Sequence, residues 1–201
     1  MSTSMKKLVL IGDSIRMGYE NEVKRLLTDK VEIFAPVENG GNSRKVKSKL
    51  DEWVIDQSPD ILHINCGLHD IKREFGSGEV TVSLSEYKTN LQYILTAVSS
   101  KVKTVIWATT TPVNSEWHRK NKGFDRFSTD VSDCNQVAVS LSNGLGVHIN
   151  DLHQLIMNIG VNECLLSDGV HFNQSGSAHL GQAVAKAIQP HLNLRGDERI
   201  G

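Results

Sequence analysis

Residues 7–15 read Lys7-Leu8-Val9-Leu10-Ile11-Gly12-Asp13-Ser14-Ile15. Four consecutive apolar residues, Leu8 to Ile11, break at a glycine and pass into residues suited to a helix start. An apolar run without polar alternation fits a strand buried on both faces, as in a parallel sheet with helices on either side. Lys6-Lys7 ahead of the run faintly imitates the head of a signal peptide. The run is too short for that, and it leads into Gly-Asp-Ser rather than a small-residue cleavage site. The segment therefore reads as a buried first strand followed by a turn and a helix.

Four more β-rich runs follow, at 31–34, 61–66, 102–108 and 147–149. Segments with helical spacing separate them. Tyr19, Val23, Leu26 and Leu27 share one helix face, as do Val46, Leu50, Trp53 and Val54. Tyr87, Leu91, Ile94, Leu95 and Val98 form a third stripe, and Val131, Cys134, Ala138, Leu141 and Leu145 a fourth. The last helix presents Leu180, Ala183, Val184, Ala187 and Ile188, with Pro190 expected at its end. Alternating strands and helices argue an α/β domain spanning residues 1–201, its parallel sheet covered on both faces. Ligands of such sheets bind beyond the carboxyl ends of the strands. Ser14, Gly40 and Gly41, residues 67–70, the loop 109–127, and Asp168 with His171 all follow strands. They are expected to converge on one rim. Two connections, 73–83 and 112–126, are longer than a compact domain needs, which is a mark of function or of a solvated excursion.

Composition narrows the function. The 201 residues carry 22 basic and 23 acidic side chains, so there is no basic surplus to suggest nucleic acid as a partner. No apolar run reaches the ~18 residues of a membrane span. The three cysteines, Cys66, Cys134 and Cys164, form no Cys-x-x-Cys pair. A disulfide framework and a zinc site are not expected, and buried free thiols suit a cytoplasmic location. No cofactor is implied. Neither a Walker A nor a Gly-x-Gly-x-x-Gly run occurs, which argues against a nucleotide binder.

The polar motifs each admit two readings. Ser14 between a strand and a helix is either an exposed hydroxyl beside helix N–H groups or part of a helix cap. Gly40-Gly41-Asn42-Ser43 is either a ligand-facing turn or a tight turn capping the next helix. Of the eight histidines, His69 stands out because Gly67 and Asp70 flank it at the end of the third strand. A side-chain donor there could complete an oxyanion hole. Asp168, three residues before His171, can hold its imidazole through Nδ1 and leave Nε2 free. Alternatively, Asn173-Gln174-Ser175 simply starts the last helix. No Gly-x-Ser-x-Gly elbow occurs, which argues against the α/β-hydrolase fold.

Taken together, Gly12-Asp13-Ser14-Ile15, the Gly41 turn, Gly67-Leu68-His69-Asp70 and Asp168-Gly169-Val170-His171-Phe172 resemble the four sequence blocks of the SGNH hydrolases, the GDSL-type esterases and lipases. The blocks occur in the family's order over nearly the whole chain. The third departs from the pattern, with His69 where the family has Asn. The resemblance implies a flavodoxin-like three-layer α/β/α sandwich with a five-stranded parallel sheet of order 2-1-3-4-5, and metal-free ester hydrolysis. It makes Ser14 the nucleophile, His171 the base and Asp168 its partner. The oxyanion hole would be the backbone N–H groups of Ser14 and Gly41 and the side chain of His69, whose tautomer Asp70 or Asn65 could fix. Asp13, Asn42, Asp70 and Trp117 are candidate substrate contacts, with Trp117, His118 and Phe124 a candidate platform for a sugar. The expected activity is hydrolysis of a small ester, such as an acetyl group on a carbohydrate. An acyltransferase with the same triad and a non-catalytic binding protein of this fold are the alternatives. Homo-oligomer formation is left open.

Overall fold

The computed structural model describes residues 5–192. Its centre is a parallel sheet of β1 (Lys7–Ile11), β2 (Glu32–Phe34), β3 (Ile61–Ile64), β5 (Thr104–Ala108) and β7 (His148–Asn150). The strand order is β2-β1-β3-β5-β7, and every neighbouring pair is parallel. Counted within this sheet alone, that is the expected order 2-1-3-4-5. The central strands are buried along their whole length, as their unbroken apolar runs require.

Helices cover both faces. α1 (Ser14–Leu27) packs on α8 (Gln174–Leu192) in one layer. In the other, α3 (Leu84–Ser99) lies between α2 (Ser43–Ser48) and α5 (Ser128–Gly144). The stripes read from the sequence are the faces these helices bury. Tyr87, Leu91, Ile94, Leu95 and Val98 of α3 are all inaccessible to solvent.

Several boundaries move. Each later strand is displaced or shortened by one or two residues, because the ladder ends where a neighbour is lost. Beyond α2 the chain widens into a π-helical turn (Asp51–Ile55) that still buries Trp53 and Val54. α8 continues past Pro190 to Leu192; in the final turn the proline removes only one hydrogen bond. Along α8 it is Ala185 that is buried, with Ala187 half-buried, and along α5 it is Ser142 rather than Leu141. Three helices were not anticipated: α4 (Ser115–Asn121), which lies within the expected loop 112–126, α6 (Leu152–Ile159) and α7 (Val161–Cys164).

The two long connections turn out to be partners. β4 (Arg73–Glu74) pairs antiparallel with β6 (Phe124–Asp125), and α4 (Ser115–Asn121) precedes β6. Arg73 clamps Asp130 at the start of α5 through two hydrogen bonds of 2.8 and 2.9 Å. The loops thus form a wall over the carboxyl edge of the sheet. No helix among the described residues is long and apolar enough to cross a membrane.

Candidate active site

At the end of β1 the two readings of Ser14 separate. Asp13 is the cap: its Oδ1 accepts the Ile15 N–H at 2.9 Å. Ser14 is the first helical residue, so its hydroxyl is free of capping duty and its own N–H lacks an intrahelical acceptor. The same separation occurs at the far end of the chain. Asn173 caps α8 by accepting the Gly176 N–H at 2.8 Å, which leaves His171 unconstrained by the helix start.

Ser14 Oγ lies 2.8 Å from His171 Nε2. The other ring nitrogen, Nδ1, lies 2.6 Å from Asp168 Oδ2. Asp168 is itself held on the turn, its Oδ1 accepting the backbone N–H groups of Val170 and His171 at 3.1 and 3.0 Å. Lys122 Nζ stands 3.1 Å from Oδ2. Burial would raise the Asp168 pKa, but the hydrogen bonds from His171, Val170 and Lys122 outweigh it and hold the carboxyl well below the usual range. An ionised carboxylate at Nδ1 favours the tautomer in which Nε2 is the acceptor for the Ser14 hydroxyl.

The turn carrying Asp168 is locked by Gly169, whose φ is +71°. A Cβ there would stand 2.5 Å from Asn114 O and 2.6 Å from His118 N, so only glycine lets this turn press against the start of α4. Gly40 plays the corresponding part on the other side. Its N–H donates to Gly12 O at 3.0 Å, and a Cβ would come within 2.6 Å of that oxygen.

A cavity of about 260 Å³ opens over Ser14 and His171. His69 lines it, as do Asp13 and Asn39. Burial, reinforced by Arg126, Lys72 and His171, lowers the His69 pKa to about 4, so its ring is neutral at pH 7 and offers one N–H. Its Nε2 is 4.0 Å from Asp13 Oδ2, a buried oxygen without a hydrogen-bond partner among the described residues. The Gly41 N–H is engaged: it donates to Asn39 Oδ1 at 2.9 Å.

Comparisons with known proteins add to this geometry. No protein-family model matches the chain, and no curated protein sequence matches it significantly. Solved structures do match. The lipase/acylhydrolase from Enterococcus faecalis superposes with a TM-score of 0.80 at 24% identity, covering 96% of this chain and 100% of that one. The acetyl xylan esterase AlAXEase gives a TM-score of 0.73 at 18% identity over 90% and 99% of the two chains. Axe2, an acetylxylan esterase from Geobacillus stearothermophilus, gives 0.72 at 20% over 99% and 100%. The chain has the SGNH hydrolase fold.

Within that fold the sequence-derived candidates separate into two groups. Ser14, His171, His69 and Asp13 line the cavity, with Asp168 behind His171. Asn42 instead caps α2, accepting the Lys45 N–H at 3.1 Å. Asp70 is fully buried beneath the site, where both its oxygens accept the Ser43 N–H at 3.0 Å. Trp117 packs partly buried against the core and is not among the cavity-lining residues. His118 is buried, while Phe124 does line the cavity. Neither residue proposed to fix the His69 tautomer does so: Asp70 serves Ser43, and Asn65 donates to Ala108 O at 2.7 Å. The sequence reading missed Asn39, Lys72, Lys122 and Arg126. Three of these lie in or beside the two long loops, whose length was their only signal. Among the described residues no group of three or more His, Cys, Asp or Glu side chains is arranged to hold a metal ion.

Proposed function

We propose that this protein is a serine esterase of the SGNH type that hydrolyses a short acyl ester. The observation that carries the reading is the continuous relay from Ser14 Oγ through His171 to Asp168, at 2.8 and 2.6 Å. His171 takes the Ser14 proton as the hydroxyl attacks the ester carbonyl. The Ser14 N–H and the neutral His69 ring face the developing oxyanion. The Gly41 N–H joins them when Asn39 Oδ1 gives way to the more strongly accepting charged oxygen. His171 then returns the proton to the departing alcohol and activates the water that releases the acyl group.

The structural neighbours support this reading, since they are acylhydrolases and acetylxylan esterases. Two further structures of Axe2 carry a serine-to-alanine and a histidine-to-alanine change described as catalytic mutations. The small cavity favours an acetyl or similarly short acyl group. The three cysteines are buried and free, in keeping with a reducing, cytoplasmic setting.

The test is turnover of 4-nitrophenyl acetate, butyrate and octanoate by purified protein, beside labelling with a fluorophosphonate. Acetate is expected to be hydrolysed fastest. Ser14→Ala is expected to abolish both turnover and labelling while the protein stays folded, because members of such a relay act as a unit. Turnover near the wild-type rate in that variant ends the proposal.

A further inference from the structure

We infer that the ester hydrolysed at this site carries an oxyanion group, a carboxylate or a phosphate, close to the scissile bond, and that Arg126 and Lys72 bind it. The inference rests on the serine-esterase reading for its chemistry but not for its geometry.

The wall built by the two long loops brings cations to the cavity. Lys72 precedes β4, Arg126 follows β6, and Lys122 sits at the end of α4. All three line the same cavity as Ser14 and His171. Arg126 is only 5% exposed. Its Nε donates to Leu68 O at 2.6 Å and its Nη1 lies 3.1 Å from His118 Nε2. No carboxylate among the described residues forms an ion pair with it. Lys72 also lacks one; its ammonium lies 4.6 Å from the centre of the Phe124 ring, and the Arg126 guanidinium lies 5.0 Å from the same centre.

The carboxylates nearby do not balance this charge. Asp168 is committed to His171 and Lys122. Asp13 is buried, and burial raises its pKa against the Ile15 N–H and the pull of Arg126, His171 and Arg16; it and Asp168 act on Arg126 from a distance, and neither forms an ion pair with it. Burial also lowers the pKa of Lys72, and the positive charge of Arg126 lowers it further. Burial lowers that of Arg126 to about 10, so it is still charged at pH 7. A buried cation without an ion-pair partner is costly to maintain. The bonds to Leu68 O and His118 Nε2 hold the guanidinium in place but do not neutralise its charge. An anion arriving with the substrate completes the set. A planar guanidinium beside an ammonium suits a carboxylate or phosphate.

The competing reading is that the cluster only steadies the reaction's own oxyanion, which every ester develops. Matched substrates separate the two. The first set is 4-acetoxybenzoate, its methyl ester and 4-acetoxyphenyl phosphate, with the anion on the alcohol side. The second is the 4-nitrophenyl monoester of glutaric acid against 4-nitrophenyl pentanoate, with the anion on the acyl side. At low salt the anionic member of one set is expected to exceed its neutral counterpart in kcat/KM by about 10- to 100-fold, as one desolvated charge pair allows. That ratio is expected to fall toward one in Lys72→Gln and Arg126→Gln, and to shrink as ionic strength rises. Lys72 is only half-buried, so its variant carries the test if Arg126→Gln does not fold. The benzoate and phosphate members show which oxyanion is preferred. A wild-type ratio of one or less in both sets overturns the inference and leaves the esterase standing. Calorimetric titration of the same compounds into Ser14→Ala covers the converse case. If nothing is hydrolysed, tighter binding of an anionic member than of its neutral partner, lost in the Lys72→Gln background, sustains the anion site while the esterase reading fails. Equal binding of both members overturns it.

Discussion

The backbone N–H of Gly41 donates to the side chain of Asn39, 2.9 Å from its Oδ1. An amide expected to meet an oxyanion is thus already occupied, within an Asx turn over Asn39, Gly40 and Gly41 of the kind that steadies tight loops. On the proposed mechanism the remaining donors are the Ser14 N–H and His69. This raises the stakes on His69, which stands where the SGNH blocks that the chain resembles have Asn.

His69→Ala is therefore expected to lower kcat by ~10²–10³, as removal of other oxyanion-hole side chains does, with a much smaller rise in KM. His69→Asn is expected to recover part of the loss, because an amide N–H reaches a similar place. Steady-state kinetics and a melting temperature measured on the same variants decide the matter. A melting temperature that drops while kcat holds makes His69 a packing residue.

Asp168→Asn is expected to keep the fold and lose most of the rate. The Asn Oδ1 can still accept the Val170 and His171 N–H groups that Asp168 now holds. Its Nδ2 would face His171 Nδ1, however, and drive the proton to Nε2, where it opposes Ser14. The same tautomer error costs about 10⁴ in kcat in serine proteases. Asp168→Ala removes the backbone acceptor as well, so it is expected to lose both rate and thermal stability. If Asp168→Asn turns over near the wild-type rate, the carboxylate does not orient the imidazole.

How far these features were legible before the structure depends on their range. Both ends of the relay lay in short contiguous motifs, Gly12-Asp13-Ser14 and Asp168-Gly169-Val170-His171, each at a strand or helix boundary that hydrophobic period reveals; that period gave the parallel α/β sheet, and the strand order came only from the resemblance the motifs carry. The wall was not legible. Lys72 and Arg126 are 54 positions apart, and the two-residue strands that bring them together are too short to leave a periodic signal. The roles of Asn42 and Asp70 were misread for a related reason. A polar residue after a strand looks the same whether it faces a ligand or satisfies a neighbouring backbone N–H, and both do the latter. Nothing local distinguishes Asp13 as the cap and Ser14 as the free hydroxyl until the direction of each side chain is known.

Gly169→Ala is expected to disturb activity and stability together. The residue would carry a side chain at φ +71°, which costs roughly 1–2 kcal/mol by itself. The added Cβ would also meet Asn114 O and His118 N at 2.5 and 2.6 Å, pushing the Asp168–His171 turn off α4. Gly76→Ala is the control. Its φ is +85°, but nothing lies within 4 Å of a Cβ there. It should lose the conformational part of the stability alone and leave kcat unchanged. Equal kcat in the two variants would mean that contact with α4 does not position the turn.

Stability is expected to fall as the solution is acidified from about pH 6.5 to 4. His63 is fully buried in β3, and burial lowers its pKa from 6.5 to about 3. His69 and His118 are lowered to about 4, again mainly by burial. In this window the unfolded chain takes up protons at these rings and the folded chain does not, so each step down in pH favours unfolding. Asp70 works the other way. Burial raises its pKa from 3.8 to about 6, so the folded state takes up one proton there before the unfolded state does. His153 and His191 are lowered by burial too, and burial raises Asp13 as it does Asp70, so five histidines against two carboxyls leave a net loss toward acid. His63 is the cleanest of them to remove, since its Nε2 meets only Asn150 Nδ2, at 3.1 Å, and its Nδ1 has no partner among the described residues. Denaturant melts of wild type and His63→Leu at half-unit pH intervals give the slopes. The variant is expected to be flatter across the window by up to about 1.4 kcal/mol per pH unit, the contribution of a single proton. Parallel curves would mean that His63 takes up its proton equally in the folded and unfolded states, and would overturn this account of the acid loss.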